Sequence, residues 1–232
     1  MGLGKYIRRV LSIRTTTDYI DESIKYLFLK KRRKLNAIDL GCGKGTYVIN
    51  SFYNEYIEGC KLVDKFDKPY QEILDNSKTE FYSEDLVSFL NNTRSESVDF
   101  ILAKDVLEHL TYEDSIVLLE QSYRVLNKDG ILLVQVPNGS SPFAMRNFNN
   151  DLTHVQFLGH KSLKSLAGKV FKENVKVYPV AEFMRGKLYF VSGVIEKLIL
   201  QPILQFIFSS SIHDSGKFFW SLNIMAINKK KN

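Results

Sequence analysis

A doubly wound α/β fold around one mostly parallel sheet is the architecture that this 232-residue chain predicts. Strand and helix patterns alternate from residue 36 to residue 137, the order that builds parallel strands joined by crossover helices. The stretch 131–136, Ile-Leu-Leu-Val-Gln-Val, is almost continuously apolar, as suits a strand covered on both faces. A glycine-rich turn, Gly41-Cys-Gly-Lys-Gly45, directly follows the first strand pattern. Composition agrees, because 44% hydrophobic and 25% charged residues with 16 Phe, 12 Tyr and five Pro exclude wholesale disorder and fibrous repeats. At roughly 150 residues to a common domain, the length fits one elaborated domain over 1–232.

The elements follow in order. Ile20, Ile24, Leu27 and Phe28 mark one face of a helix, and the basic run Lys30, Lys31, Arg32, Arg33 and Lys34 suits its C-terminal dipole. Residues 36–40 read as a buried strand that runs into the glycine turn, and 46–56 as the helix after it. Strands are expected at 57–64, 79–83 and 98–104, with a helix at 68–76. A helix at 113–126 carries Ile116, Leu119, Tyr123 and Leu126 at helical spacing and stops at Asn127-Lys-Asp-Gly130. Beyond 131–136 come a polar loop at 137–153, a helix at 161–170, a strand at 175–181, an apolar segment at 188–208 and a last strand at 218–228.

Glycines after a first strand let backbone approach a ligand where side chains would collide. A dinucleotide fingerprint would need glycine at position 46, which is Thr46, and no Walker-type G-K-[ST] is present. Asp39-Leu-Gly-Cys-Gly-Lys-Gly45 instead resembles motif I of class I methyltransferases that use S-adenosylmethionine (SAM). The segment Val98-Asp-Phe-Ile, then Val106-Leu-Glu-His-Leu110, Leu126-Asn-Lys-Asp-Gly130 and Pro137-Asn138 is similar to the V-D-x-I, V-L-E-H-L, L-K-P-G-G and P-N signatures of methyltransferases related to the quinone-biosynthesis O-methyltransferases. The resemblance spans 36–138 and implies a Rossmann-like, seven-stranded sheet with an antiparallel last strand, and SAM as cofactor.

It also implies roles. Gly41, Cys42, Gly43 and Gly45 form the cofactor turn, and Asp39 serves the cofactor's ammonium, directly or through water. Asp64, closing the second strand, takes the ribose hydroxyls, with Asp67 as competitor and Lys65 beside it. Asp85 accepts from the adenine amino group and Leu86 packs on the ring, a role compatible with Asp85 being a helix N-cap. Lys104, ending the fourth strand, completes the cofactor set.

For the acceptor, Lys104-Asp-Val-Leu stands where DNA and protein amide-N methyltransferases carry an Asn/Asp-Pro-Pro-aromatic clamp for a planar amino group, which disfavours exocyclic-amine methylation. Pro137-Asn-Gly-Ser-Ser-Pro-Phe143, Asp151-Leu-Thr-His154, Phe157 and Ser162-Leu163 resemble methyltransferases of bacterial surface-polysaccharide biosynthesis, with Leu158-Gly159 replacing the family's Phe-Thr. The implied reaction is O-methylation of a sugar hydroxyl, on a small-molecule, nucleotide-linked or lipid-linked glycan, beneath a lid at 138–160. Such a hydroxyl needs a general base, and His154 is the candidate; its alternative role is to pin the lid by hydrogen bonds. His160 and His213 have weaker claims. Asp105, Glu108 and His109 are expected on one helical face aimed at the same crevice, with Glu108 and His109 counted as catalytic. That face could hold a divalent cation together with His154, as in small-RNA 2′-O-methyltransferases with a related E-x-x-E-H arrangement, or fix the lid by hydrogen bonds; no metal is assigned.

The segment 188–208 is interrupted by Glu196, Lys197, Gln201, Pro202 and Gln205 and is too short for a membrane span. Core packing, a homodimer surface and an interfacial helix reaching a lipid-linked substrate remain open for it. The charge of +6 favours anionic partners. The runs 30–34 and 229–231 read first as a solvated helix end and a frayed terminus, and only secondarily as an RNA patch. Two cysteines and no leader-like opening make a reducing cytoplasm the expected compartment, with peripheral contact at the inner membrane surface as an option. O-methylation of a quinone precursor or RNA, and a non-enzymatic binding subunit on a methyltransferase fold, are the alternatives.

Overall fold

The computed structural model describes residues 14–141, 144–180, 198, 199, 202, 203, 206, 221 and 223–231. In chain order the elements are α1 (Thr16–Lys31), β1 (Leu35–Leu40), β2 (Ile57–Val63), α2 (Gln71–Leu74), β3 (Thr79–Tyr82), α3 (Leu86–Asn92) and β4 (Val98–Lys104). They continue with α4 (Tyr112–Val125), β5 (Leu126–Pro137), α5 (Ala144–Asn149), α6 (His160–Phe171), β6 (Val175–Val180) and β7 (Asn223–Lys229). One seven-stranded sheet runs in the order β3-β2-β1-β4-β5-β7-β6. The first five strands pair in parallel, while β7 is antiparallel to both β5 and β6. The chain reverses direction across the sheet between β1 and β4, so their C-terminal ends open a crevice where such folds bind ligands.

Two apolar layers cover the sheet. On one face Ile38, Leu40, Ile101 and Ala103 pack with Leu118, Leu119, Leu163 and Leu166 of α4 and α6. On the other, Ala37, Leu62, Phe100 and Leu102 pack with Ile20, Ile24 and Leu27 of α1. Thr15 caps α1 in a box with Asp18, and Phe28 stacks on Tyr56 with ring centroids 3.9 Å apart.

The basic run is not simply solvated. Arg33 grips the fully buried Asp99 with two hydrogen bonds of 2.8 Å, Lys31 lies 3.2 Å from the same carboxylate, and Lys30 pairs with Asp129 at 2.7 Å. Burial opposes the charge of Asp99, but Arg33, the Asn36 amide and Asn127 outweigh it and hold its carboxyl below the ordinary range. The C-terminal run is likewise tied down, because the Lys230 ammonium donates to Leu126 O at 2.8 Å and lies 3.2 Å from Glu96.

A second correction concerns 46–56, expected as a helix. The segment is a series of turns ending in a single 3₁₀ turn at Asn54–Tyr56. Aromatic and β-branched residues at Tyr47, Val48 and Ile49 are weak helix formers, and burying Val48 and Ile49 does not require a helix. Of 188–208, the described residues are Leu198, Ile199, Pro202, Ile203 and Phe206, all exposed, which does not match the core option at those positions; the rest lies outside the described residues. No helix among the described residues is long and apolar enough to cross a membrane.

Candidate active site

The glycine turn leaves β1 and folds back on β2. The amides of Gly41 and Cys42 donate to Val63 O at 2.9 and 3.1 Å, and Gly45 N donates to Cys42 O at 2.8 Å. Gly41, Gly43 and Gly45 all have positive φ, a conformation costly for other L-residues. A Cβ built on Gly41 would lie 2.5 Å from a Val106 methyl, whereas one on Gly43 would meet nothing within 4 Å. Gly43 therefore fronts an open cradle.

Asp64 organises that cradle. Its Oδ2 accepts from Gly43 N at 2.9 Å, and its Oδ1 accepts from Phe66 N and Asp67 N at 2.9 and 2.8 Å. Asp67, the competitor, is exposed and pairs instead with Lys44 at 3.0 Å. Lys65 is exposed with its ammonium over the Phe66 ring, and the buried Cys42 thiol is pushed up by desolvation. Asp85 caps α3, its Oδ1 accepting from Val87 N and Ser88 N at 3.0 Å, and Leu86 packs against the core.

Asp39 is 2% exposed and its Oδ2 has no hydrogen-bond partner. Burial pushes its carboxyl up to about 7, with the Lys104 ammonium pulling the other way and Asp64 adding to the rise. Lys104 itself is paired with Asp105 and lies 5.0 Å from the Tyr47 ring centroid.

The expectation that Asp105, Glu108 and His109 share a helical face is corrected. Only one 3₁₀ turn, Leu107–His109, forms after β4, and Asp105 adopts φ +53. In that conformation its amide donates to Gln135 O at 2.9 Å and its carboxylate pairs with Lys104. Glu108 and His109 are instead joined by His154, and potential ligand atoms of these three lie within 4.8 Å of one another. Glu108 is 2% exposed, with neither carboxyl oxygen hydrogen-bonded, and His154 Nδ1 is also buried without a partner. Desolvation raises the Glu108 carboxyl to about 8, Asp105 adding to the effect, which favours its protonated form at neutral pH. A neutral carboxyl beside two imidazoles can donate a hydrogen bond while an imidazole accepts a proton; the same set could also hold a divalent cation.

The lid explains how His154 reaches this place. The amides of Val155 and Gln156 donate to Glu108 O at 2.8 and 3.1 Å. Gln156 Nε2 lies 2.6 Å from Leu110 O, 2.7 Å from Ser115 Oγ, 3.0 Å from Leu107 O and 3.1 Å from Thr111 O. Thr153 Oγ1 lies 2.8 Å from His109 Nδ1 and donates to Asp151 at 2.6 Å. A small cavity results, lined by Glu108, Asn138, Phe148, His154, Phe157 and Leu158. Gln156 and Phe148 are residues that sequence reasoning missed, for neither stands in a motif with a chemical signature. His160 starts α6 outside the cluster, and His213 lies outside the described residues.

The geometry can be set beside known proteins. The chain resembles a SAM-dependent methyltransferase from Archaeoglobus fulgidus in fold, with 16% identity, 97% of this chain and 99% of that one covered, and a TM-score of 0.60. A possible histamine N-methyltransferase from Thermotoga maritima matches at 16% identity over 99% and 96% of the chains, TM-score 0.58. A Burkholderia thailandensis 1,6-didemethyltoxoflavin N1-methyltransferase, solved with S-adenosylhomocysteine, matches at 11% identity over 92% and 78%, TM-score 0.53. No curated protein matches the chain. The methyltransferase domain family, Methyltransf_23, matches residues 12–170, more than half of the sequence, and with the glycine turn, sheet order and acidic strand ends in place the chain belongs to that family and is a SAM-dependent methyltransferase.

Proposed function

We propose that the protein O-methylates a sugar hydroxyl in surface-polysaccharide or related glycan biosynthesis. The observation that carries the reading is the convergence of unpartnered, buried groups of Glu108 and His154 on one small cavity between Phe148 and Phe157. Buried polar atoms without partners are uncommon and want a ligand that bonds them. A hydroxyl suits both, donating its proton towards His154 while accepting from neutral Glu108. His154 is the general base, and His109, held by Thr153, positions it. The sugar itself rests on the resemblance of 137–143 and 151–163 to polysaccharide methyltransferases.

The cradle fits SAM on two observations, the orphaned Asp39 carboxylate and the open space before Gly43. When bound, SAM supplies an electrophilic methyl group. Asp39 takes its ammonium and Asp64 its ribose, while Gly41, Cys42, Gly43 and Gly45 shape the turn. Asp85 and Leu86 serve the adenine, and Lys65 and Lys104 flank the site. Closure of 138–160 excludes water around the acceptor. A nucleotide- or lipid-linked glycan is the proposed acceptor, and the exposed Leu198, Ile199, Ile203 and Phe206 support a dimer or peripheral membrane contact in a cytoplasmic enzyme.

A second reading, O-methylation of a quinone precursor, draws on Phe148 and Phe157, which could face a planar ring. RNA is less favoured because Lys30, Lys31 and Arg33 are spent on Asp129 and Asp99. Transfer of labelled methyl from SAM to a panel of nucleotide sugars, lipid-linked glycans, catechols and RNA decides among them. Turnover of catechol or RNA alone refutes the sugar assignment. The imidazole-base reading expects the rate to survive EDTA; loss restored by Mg²⁺ makes Glu108, His109 and His154 metal ligands instead.

A further inference from the structure

The cradle contains a cation that the proton chemistry leaves unused. Asp39 pairs with Leu102 across β1 and β4, and Lys104 lies two residues further along β4. Strand alternation therefore puts Asp39 and Lys104 on the same face of the sheet, at the end where the glycine turn opens. The Lys104 side chain is only 18% exposed. Its ammonium is held between Asp105 and the Tyr47 ring.

The two members of the Lys104–Asp105 pair differ in freedom. Asp105 is fixed by its left-handed backbone, by its amide bond to Gln135 O and by Gln135 Nε2 at 3.5 Å from its carboxylate. Gln135 is 1% exposed and is held in turn by Thr16, whose hydroxyl donates to it at 2.6 Å. Lys104 has a flexible four-carbon stem and three donors, so it can keep Asp105 and still accept a second anion. Other lysines around the turn are turned to the surface: Lys44 pairs with Asp67 with both side chains at least half exposed, and Lys65 is exposed over Phe66.

SAM ends in an amino acid, which carries a carboxylate beside its ammonium, and a carboxylate that leaves water needs a cation or several donors. We infer that Lys104 is the anchor for that carboxylate, so that the amino-acid end of the cofactor is held as a zwitterion between Asp39 and Lys104. The inference rests on the cofactor cradle proposed above and adds which part of the cofactor this side chain recognises. It also gives Asp105 a purpose, as the fixed anion that keeps the lysine charged and aimed at the crevice.

Two ligands separate the parts. S-adenosylhomocysteine carries the amino-acid end, and 5′-methylthioadenosine has the same adenosine without it. Binding of both is measured by calorimetry to wild type, Lys104→Gln, Lys104→Arg and Asp64→Ala. Lys104→Gln is expected to weaken S-adenosylhomocysteine about 10- to 100-fold, the usual scale for a lost charged hydrogen bond, and to leave 5′-methylthioadenosine within about threefold. Lys104→Arg keeps most of the affinity, and Asp64→Ala weakens both ligands together. Equal loss of both ligands in Lys104→Gln, or no loss of either, overturns the anchor. Failure of wild type to bind either ligand overturns the cradle itself. If Lys104→Gln does not fold, wild type alone tests the point: S-adenosyl-3-thiopropylamine, which lacks only the carboxylate, must bind about 10- to 100-fold more weakly than S-adenosylhomocysteine, and equal binding overturns the inference.

Discussion

Replacing Asp39 by Asn tests whether a buried acid is held at a cost to stability for the sake of the cofactor. Asp39 is 2% exposed with Oδ2 unbonded, and its carboxyl is raised from 3.8 to about 7. A carboxyl that binds its proton more tightly when folded makes stability fall as pH rises from the unfolded value to the folded one. At ~1.4 kcal/mol per unit the penalty is about 4 kcal/mol once pH exceeds about 7, and about 2 kcal/mol of it appears between pH 5.5 and 8.5. Asn cannot ionise, so Asp39→Asn removes this penalty, against ~1–3 kcal/mol for burying an amide with nothing to bond. Urea denaturation at both pH values should show the stability difference between Asp39→Asn and wild type shifting by about 2 kcal/mol in the variant's favour at the higher pH. The same variant should lose S-adenosylhomocysteine affinity by about tenfold or more, and wild-type affinity should rise from pH 6 to 8 as Asp39 ionises beside Lys104 and Asp64. A pH-independent stability difference refutes the electrostatic argument; unchanged ligand affinity refutes the role given to Asp39.

Other outcomes follow from the same geometry. His154→Ala should lower kcat by about 10²- to 10⁴-fold with SAM affinity nearly unchanged, and a wild-type kcat in single-turnover assays would remove His154 as the base. Glu108 loses its proton as pH passes about 8, so wild-type kcat/KM should decline on the alkaline side, and Glu108→Gln, still a donor, should lack that decline in a pH–rate profile. Gly43→Val extends into the open cradle at a residue with φ +50; calorimetry should show no S-adenosylhomocysteine binding by a protein that still melts cooperatively. Asp99→Asn leaves Arg33 and Lys31 without their buried partner and should cost about 2–4 kcal/mol, or roughly 5–15 °C in Tm. Because the Asp99 carboxyl is held low, its stabilisation is present at neutral pH and disappears as pH falls through the acid range.

The sheet and the glycine turn that fronts the proposed cofactor cradle were legible because their signals are short in sequence. Strands at 57–64, 79–83 and 98–104 differ from the observed β2, β3 and β4 by at most a residue at an end, and each acidic position follows its strand within a few residues. Apolar runs and turn glycines act locally, so a single sequence displays them. Three features were not legible for a common reason. The segment 46–56 has helical spacing of apolar residues, but tertiary packing buries Val48 and Ile49 in turns. The run 30–34 looks solvated until Asp99, more than sixty residues away, draws it inward. Asp105 has the spacing of a helical partner of Glu108 and His109, yet one left-handed residue turns it to Gln135.

The acceptor side depends still more on distance along the chain. His154 stands in a motif-like segment, but a histidine in a loop is a reagent only where something fixes it. Here that is Gln156, which threads its amide among the carbonyls of Leu107, Leu110 and Thr111 and the Ser115 hydroxyl, more than forty residues away. A carbonyl oxygen has two lone pairs, so Leu107 O and Thr111 O each take Gln156 in addition to a backbone amide, Leu110 N at 3.1 Å and Ser115 N at 3.0 Å. The chain after β4 makes only one 3₁₀ turn before α4, and Glu108 O accepts from the Val155 and Gln156 amides instead of from a helical neighbour, which brings His154 to the Glu108 carboxyl. A continuous helix through this stretch would draw Glu108 O into its own backbone bonding and set it in competition with the lid amides. The interruption of helix at 105–111 thus links the two sites proposed above, with Asp105 paired to Lys104 on one side and Glu108 set beside His154 on the other.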